Sequence, residues 1–446
     1  MVLLKAALTN CKKRVLMTVF TVFEMTAAII VFAVTVSSIL IRYSYYEPFK
    51  DMLEGKGFFF YSNNGMNALA LDPNYPADEF QMVPDSNLLS SHYLKSQDKT
   101  VGGYLQYGGK IAACNKVKAD AAFNGKYYNN VLGYNDELIQ RFKPKIKEGR
   151  WLSTSQNTDF LEAVVVSGDY DCRIGGKIEL SYICTDENHS KESGYNPMRS
   201  CYAEVVGIIE DGARVFGITS NESSPDCNMM YSPYGTEIEK SPLVLISSDY
   251  IGNNYFEGSL DNPDDILIMQ DVTEGLIQYF DSATDEQIDE EKEKINLMFR
   301  PSGKIFDFNV MNKNSKEYIL DQVYILLPIM IVILVLIVVS SISNTALTTR
   351  DRLRDYSIYY ITGLQWKHCT LINLIQSALT SVLALLLSAV ALCIIRLTPI
   401  ADTVTIIPHL WTFSAVAALI LLYILISMIM PAIIIGKSTP KEILAK

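Results

Sequence analysis

Apolar residues are concentrated in four long blocks of the chain, residues 15–41, 323–343, 369–395 and 410–436. Each block meets the roughly 20 residues that a helix needs to cross a bilayer. The last three blocks contain no charged side chain, and a core helix of a soluble protein is seldom apolar on every face over such a length. The pattern therefore predicts four transmembrane helices. The first block exceeds the roughly 7–15 apolar residues of a secretion signal, so we interpret it as an uncleaved anchor.

The segment between the first two blocks, residues 42–322, has the mixed pattern of a globular domain. Short apolar runs with β-branched residues predict strands at residues 163–166, 177–183 and 203–209. Further along, the pattern predicts a strand, a helix and a strand over residues 266–269, 285–299 and 304–308. The predicted fold class is a membrane protein with four transmembrane α-helices and a large α+β domain inserted between helices 1 and 2.

The distribution of charge orients the chain across the membrane. The segments before the first block, between the second and third (344–368) and after the fourth hold 11 basic and three acidic residues. Because short cytoplasmic loops are rich in Lys and Arg, we predict that both termini (1–14 and 437–446) and the 344–368 loop are cytoplasmic. The inserted domain and the 396–409 loop are then extracytoplasmic, with 27 basic and 45 acidic residues, a net charge of −18 against +8 inside. The overall net charge of −11 also argues against a nucleic-acid partner, which requires a basic surface.

The chain carries no motif of an enzyme. It has no P-loop, no Gly-x-Ser-x-Gly elbow and no His-Glu-x-x-His pair, and its four histidines are scattered. No Cys-x-x-Cys pair supports a zinc site. We therefore predict a non-catalytic chain without a metal or cofactor of its own. The external cysteines are odd in number, so at least one is unpaired or links two chains, and their connectivity is open: Cys114, Cys172, Cys184, Cys201 and Cys227.

Glu24 is the one charged residue inside a predicted span. It lies about nine residues into the first block, roughly 14 Å deep at about 1.5 Å per residue. An ionised side chain at that depth is costly and marks a functional hypothesis by default. No Lys or Arg within the spans offers a partner, so we expect Glu24 to be protonated or hydrogen-bonded to Thr or Ser of a neighbouring helix. Polar packing and a role in coupling are both open.

Three groups of motifs resemble the MacB/FtsX-like permease family of ABC transporters, whose members also place a large domain after the first of four spans. Ala7-Leu8-Thr9-Asn10 followed by Lys12-Lys13-Arg14 resembles the amphipathic helix that opens these permeases. Residues 352–363 resemble the family's cytoplasmic loop, although Asp355, Ser357 and Tyr360 stand where Glu, Gly and Arg are usual. In the external domain, Gly149-Arg150 before a valine-rich strand, and Val205-Val206-Gly207, resemble the turn and closing strand of MacB-type periplasmic domains.

The resemblance implies an architecture. Residues 1–14 would form a cytoplasmic amphipathic helix, and the external domain would include an inserted β-rich subdomain at roughly 150–250. Gly149, Arg150 and Gly207 would determine the fold of a turn. The 344–368 loop would dock on a separate ATPase chain through Arg350, Arg352, Arg354, Asp355, Ile358, Tyr359 and Gly363. Without the resemblance, the basic residues of this loop would serve only to orient the chain, and its aromatic residues would lie at the membrane interface. Gly363 predicts the end of a helix in this loop.

The resemblance also implies partners and an activity. Two permease copies, in a homodimer or a heterodimer, would each bind an ATPase that holds ATP and Mg²⁺, and hydrolysis would move the external domain by mechanotransmission in the bacterial cytoplasmic membrane. Export or extraction of peptides, lipoproteins or amphiphilic compounds is the expected task. Two alternatives are an FtsX-like regulator of a cell-wall hydrolase and a membrane-anchored sensor or adhesion protein without an ATPase. The latter would tolerate polar replacement of Ile358 and Tyr359.

Overall fold

The computed structural model describes residues 15–67, 108–166, 172–183, 198–210, 212–217, 225–234, 242–255, 270–299, 303–396 and 409–437, with single residues 7, 9 and 268. The chain divides into two compact units. A membrane unit contains Met1–Ser44 and Tyr318–Lys446, and an inserted unit contains Tyr45–Glu317. The predicted helix over residues 1–14 lies outside the described residues except for Ala7 and Thr9, which are helical.

The helices are numbered here in chain order. They are α1 (Val15–Tyr46), α2 (Lys50–Leu53), α3 (Asp136–Arg141), α4 (Ser248–Tyr255), α5 (Asp285–Phe299), α6 (Phe308–Asp351), α7 (Leu353–Ile361), α8 (Trp366–Arg396) and α9 (Leu410–Gly436). Within the described residues, four helices are long and apolar enough to cross a membrane, and they contain the four predicted spans. This confirms the predicted fold class of four membrane helices and an inserted α+β unit.

The helix bounds show what hydropathy can predict. Helix α9 coincides with the predicted span 410–436. Helices α1 and α6 extend beyond the predicted spans 15–41 and 323–343, because an apolar block records only the part of a helix that fits the lipid. The predicted 344–368 loop accordingly begins with two more turns of α6.

The core of the membrane unit joins all four spans. Met25 and Ile29 of α1 pack with Ile337 of α6, Ala384 of α8 and Leu419 of α9. Small residues allow α1 and α8 to approach closely. The Thr26 hydroxyl donates to the Ala384 carbonyl at 3.4 Å, and the Ser388 hydroxyl donates to the Thr26 carbonyl at 3.3 Å.

The inserted unit is built on a large mixed sheet. Its described strands are β1 (Gly57–Asn67), β2 (Gly108–Val117), β3 (Ala119–Phe123), β4 (Lys126–Tyr128), β5 (Val131–Tyr134), β6 (Ile146–Gly149), β7 (Glu162–Val166), β8 (Lys177–Ile183), β9 (Met198–Ile209), β12 (Leu243–Ser247), β13 (Gln270–Tyr279) and β14 (Gly303–Asp307). They follow the order β14-β1-β13-β2-β5-β12-β7-β9-β8-β3-β4, and β6 pairs with β9. Strands β10 (Arg214–Phe216) and β11 (Tyr231–Pro233) form a separate antiparallel pair.

Burial along the strands explains why they form. Strands β7 and β12 are buried at all five positions. This is typical of central strands that are mostly apolar and covered on both faces. Strand β3 buries alternate residues, the pattern of a strand with one covered face. Burying these side chains produces the main core of the sheet, around Val165, Leu180 and Ile246.

The strand predictions have mixed outcomes. Strand β8 coincides with the predicted strand 177–183, β7 starts one residue before the predicted 163–166, and 203–209 is the end of the longer β9. Helix α5 has the predicted bounds. The strand predicted at 266–269 lies outside the described residues except for Ile268, which is not assigned to a strand. Phe308, predicted as the end of a strand, begins α6.

Candidate docking surface

Helix α7 is a short, separately capped helix between the second and third spans. Its C-terminus forms a Schellman motif, in which the Leu364 amide donates to the Tyr359 carbonyl at 2.9 Å and the Gly363 amide donates to the Tyr360 carbonyl at 3.0 Å. Gly363 adopts a φ of +102°, which an L residue rarely adopts. The helix stop predicted at Gly363 is therefore confirmed.

One face of α7 is buried within the membrane unit. Tyr356 and Ser357 are fully buried, and Tyr356 packs with Cys369 of α8 and Ile435 of α9. The Tyr356 hydroxyl donates to Oδ1 of Asn373 at 2.9 Å. Burial raises the pKa of Tyr356 to about 12, although the nearby Arg352 cation acts in the opposite direction. These contacts position α7 by packing and by a buried hydrogen bond.

The other face of α7 exposes an apolar stripe beside a cation. Ile358 is 48% exposed and Ile361 is 65% exposed. Ile358 follows the exposed Arg354 by four residues and Ile361 follows Ile358 by three, so the three share one side of the helix. Tyr360, at 42% exposure, flanks the stripe. We call Arg354, Ile358, Tyr360 and Ile361 the α7 surface. A helix that is anchored on one face and apolar on the other has the form of a docking element.

The structure does not bring all the predicted coupling residues to this surface. Arg350 is exposed at the end of α6, and Asp355 is half-buried. Arg352 is 5% exposed, so its guanidinium is inside the unit, which corrects the prediction of three basic surface residues. Tyr359 is half-buried against the Tyr356 cluster. Tyr360 is identified from the sequence only as a departure from the family pattern and not as a docking residue, although the structure exposes it beside Ile361.

The predicted Gly-Arg turn lies in the inserted unit, where β6 meets β9. Gly149 pairs with Gly207 in this ladder, and the Arg150 amide donates to the Val206 carbonyl at 2.9 Å. Gly149 has a φ of +79°, and a Cβ there would lie 2.2 Å from the Val206 carbonyl oxygen. A Cβ on Gly207 would lie 2.1 Å from the Arg150 carbonyl oxygen. The backbones approach so closely that both positions require glycine.

Arg150 forms a bidentate ion pair with Glu162 at the start of β7. Its Nη2 and Nη1 lie 2.6 and 3.0 Å from the two carboxylate oxygens, and the Ser153 amide donates to the same carboxylate at 2.8 Å. Burial acts to raise the pKa of Glu162, but the hydrogen bonds and charge of Arg150 and the Ser153 amide outweigh it, so the pKa is lowered. This ion pair holds the turn against strand β7. Its role is structural, and it does not belong to the α7 surface.

Glu24 is hydrogen-bonded within the membrane unit. The Ser340 hydroxyl of α6 donates to Oε2 of Glu24, which is one of the two arrangements predicted. The Asn344 amide donates to the Ser340 hydroxyl at 3.4 Å and to the Thr21 hydroxyl at 3.2 Å. A polar network therefore joins α1 and α6 at this depth.

Three cysteines of the inserted unit are buried. Cys114, Cys201 and Cys227 carry free thiols. Burial raises the pKa of Cys201 to about 11 and of Cys227 to about 12. These thiols are protonated at neutral pH, so they are poor nucleophiles. Cys184 lies outside the described residues.

No protein-family model and no curated protein matches this chain. Among the solved structures that are similar to this chain, two match at 10% identity. The periplasmic region of MacB from Actinobacillus actinomycetemcomitans matches with a TM-score of 0.26, over 62% of this chain and 97% of that one. The extracellular domain of the ABC-type transporter YknZ from Gram-positive bacteria matches with a TM-score of 0.24, over 56% and 99%. Neither likeness establishes a function at such TM-scores.

Proposed function

We propose that this chain is the membrane subunit of an ABC transporter and that the α7 surface docks on a separate ATPase chain. The observation that carries the proposal is the α7 surface itself, two isoleucines and an arginine exposed on a helix whose opposite face is buried. Exposed apolar residues beside a cation favour a protein partner over water, because removing apolar surface from water stabilises the complex. The cytoplasmic-loop motif at residues 352–363 and the insertion of a large unit after the first span support the identity of that partner.

The proposed mechanism divides the work between two chains. The ATPase binds ATP and Mg²⁺, and ATP-driven association of two ATPase copies moves the two α7 surfaces of a permease dimer. Helix α7 passes the displacement to α8 and α9 through its buried face, where Tyr356 contacts Cys369 and Ile435. The spans then move the inserted unit on the other side of the membrane. Peptides, lipoproteins and amphiphilic compounds are the proposed cargo.

Purification of the tagged chain from its native membrane tests this proposal. We expect a P-loop protein to co-purify and to be labelled by photoreactive 8-azido-ATP, with ATP hydrolysis in the eluate. The variant Arg354→Glu, which reverses the charge of the α7 surface, should lose the labelled protein. The control Lys126→Glu reverses an exposed charge in the inserted unit and should retain it. Intact protein without any labelled partner would instead favour a sensor or adhesion protein.

A regulator of a cell-wall hydrolase would share the ATPase and differ at the inserted unit. Transport and hydrolase regulation can be distinguished by assays on the complex with the bound ATPase. Reconstituted vesicles that release or accumulate a labelled amphiphilic peptide with ATP indicate transport. ATP-dependent activation of a hydrolase without peptide movement indicates regulation.

A further inference from the structure

Side chains of all four spans line a small, partly open polar cavity at the end of the bundle that carries α7. Its volume is about 40 Å³, and ten of its eleven lining residues have a hydroxyl or amide group. Thr21 of α1, Asn344 of α6, Gln376 of α8 and Tyr423 of α9 show that every span contributes. The rest of these spans is mostly apolar, so the polar lining of this cavity requires a physical reason.

The size and chemistry of the cavity define what it can bind. None of the lining side chains is charged, which disfavours a metal cation or a phosphate. Drug-sized ligands need about 300–1,000 Å³. A water molecule needs about 10–15 Å³ and two to four polar partners, whereas dry cavities are lined by apolar groups. The volume and lining therefore fit about three water molecules.

Gln376 provides a second, independent indication. Its Oε1 is buried and accepts no hydrogen bond from any described residue. An unpaired amide oxygen in a low-dielectric interior is unfavourable, and a donor at this position removes the penalty. Water in the cavity is such a donor, since Gln376 is one of the lining residues.

Two of the lining residues also hydrogen-bond to residues outside the cavity. Asn373 accepts the bond from Tyr356 of α7 at 2.9 Å. Asn344 donates to Ser340, and Ser340 donates to Glu24. Water between Asn373 and Asn344 would complete a hydrogen-bonded chain from α7 to the intramembrane carboxyl group.

We propose that this cavity is a water-binding site that joins α7 to Glu24 by hydrogen bonds. A close-packed apolar layer has few alternative arrangements. Water molecules can exchange hydrogen-bond partners when helices shift. A hydrated layer therefore allows the four spans to move slightly against one another without leaving polar groups unpaired. The proposal does not depend on the ATPase, because water would occupy the cavity of the isolated chain.

X-ray radiolytic hydroxyl-radical labelling of the full chain in nanodiscs tests this site. Radicals form from bound water and oxidise adjacent side chains. Tyr423, which is 4% exposed and lines the cavity, is the reporter, and Met25, which is 2% exposed and does not line it, is the control. After correction for intrinsic reactivity, we expect Tyr423 to be labelled at least tenfold faster than Met25. Equal rates would overturn the proposal.

Two variants locate the water. Gln376→Leu and the isosteric Thr380→Val remove polar groups from the lining, and each should reduce Tyr423 labelling at least threefold. Ser388→Ala removes a buried hydroxyl of the same helix that does not line the cavity and should leave the rate unchanged. A variant with unchanged Tyr423 labelling, in protein that elutes as a single species, would place the water elsewhere and contradict the assignment.

Discussion

Replacing Ile358 and Ile361 together by alanine should weaken ATPase binding by about 30-fold. Fully burying an isoleucine side chain stabilises a complex by about 1.5–3 kcal/mol. The two side chains are 48% and 65% exposed, so covering the remainder contributes about 2.5 kcal/mol for the pair. Truncation to alanine removes about 2 kcal/mol of this, which corresponds to about 30-fold in Kd. Alanine favours helix, so α7 itself should remain folded.

The assay is the affinity of the purified ATPase for the chain in nanodiscs, measured by biolayer interferometry. Leu383 and Leu386 of α8 provide a matched control, since they have the same spacing and are 52% and 60% exposed. The double alanine variant at these positions removes a similar apolar area from a membrane-facing site and should leave Kd unchanged. If the α7 pair also leaves Kd within threefold of wild type, the assignment of the docking surface is refuted.

The remaining predictions concern the motifs outside the α7 surface. Arg150→Ala should lower the free energy of unfolding by about 2 kcal/mol, less than the 3–5 for a fully buried pair because half of the Arg150 side chain is exposed. Since the pKa of Glu162 is lowered in the folded protein, its contribution to stability is complete above the unfolded pKa of about 4.5 and is lost as pH falls through the lower folded pKa. Glu162→Gln should therefore flatten the fall of Tm as pH is lowered below about 4.5. Gly149→Ala should prevent stable folding because its Cβ would overlap a carbonyl oxygen. Gly175 has a similar φ of +80° but open space around it, so Gly175→Ala should lower the free energy of unfolding by only about 1–2 kcal/mol. A denaturant titration measures both. Glu24→Gln should keep the wild-type Tm because an amide oxygen still accepts a hydrogen bond, and Glu24→Leu should lower it; a lower Tm for Glu24→Gln would indicate that the charge matters.

Hydropathy and local turn chemistry predicted the elements that depend on nearby residues. The bounds of α9 follow from an apolar run that is bounded by His409 and Lys437. Gly363 ends α7 because only its left-handed φ permits the two hydrogen bonds of the cap. The type of partner for Glu24 was also predictable, since a carboxyl group in lipid needs a donor and the neighbouring spans are rich in Ser and Thr.

Tertiary packing decided what local patterns could not. Arg352 and Arg354 look equivalent in the sequence, yet Arg352, the N-cap residue between α6 and α7, is buried, and Arg354, in the first turn of α7, is exposed. The bond between Tyr356 and Asn373 joins residues of different helices, and no spacing rule predicts it. The same is true of the polar cavity, whose lining comes from four separate segments.

Site-specific photo-crosslinking at residue 361 tests the central claim most directly. Benzoylphenylalanine replaces Ile361 in the chain expressed in its native membrane, and the same replacement of Leu386 is the control. We predict an ultraviolet-dependent adduct at residue 361 that contains a P-loop ATPase, identified by mass spectrometry, and no such adduct at residue 386. Adducts at residue 361 with lipid alone, from membranes in which the chain is intact, would contradict the account.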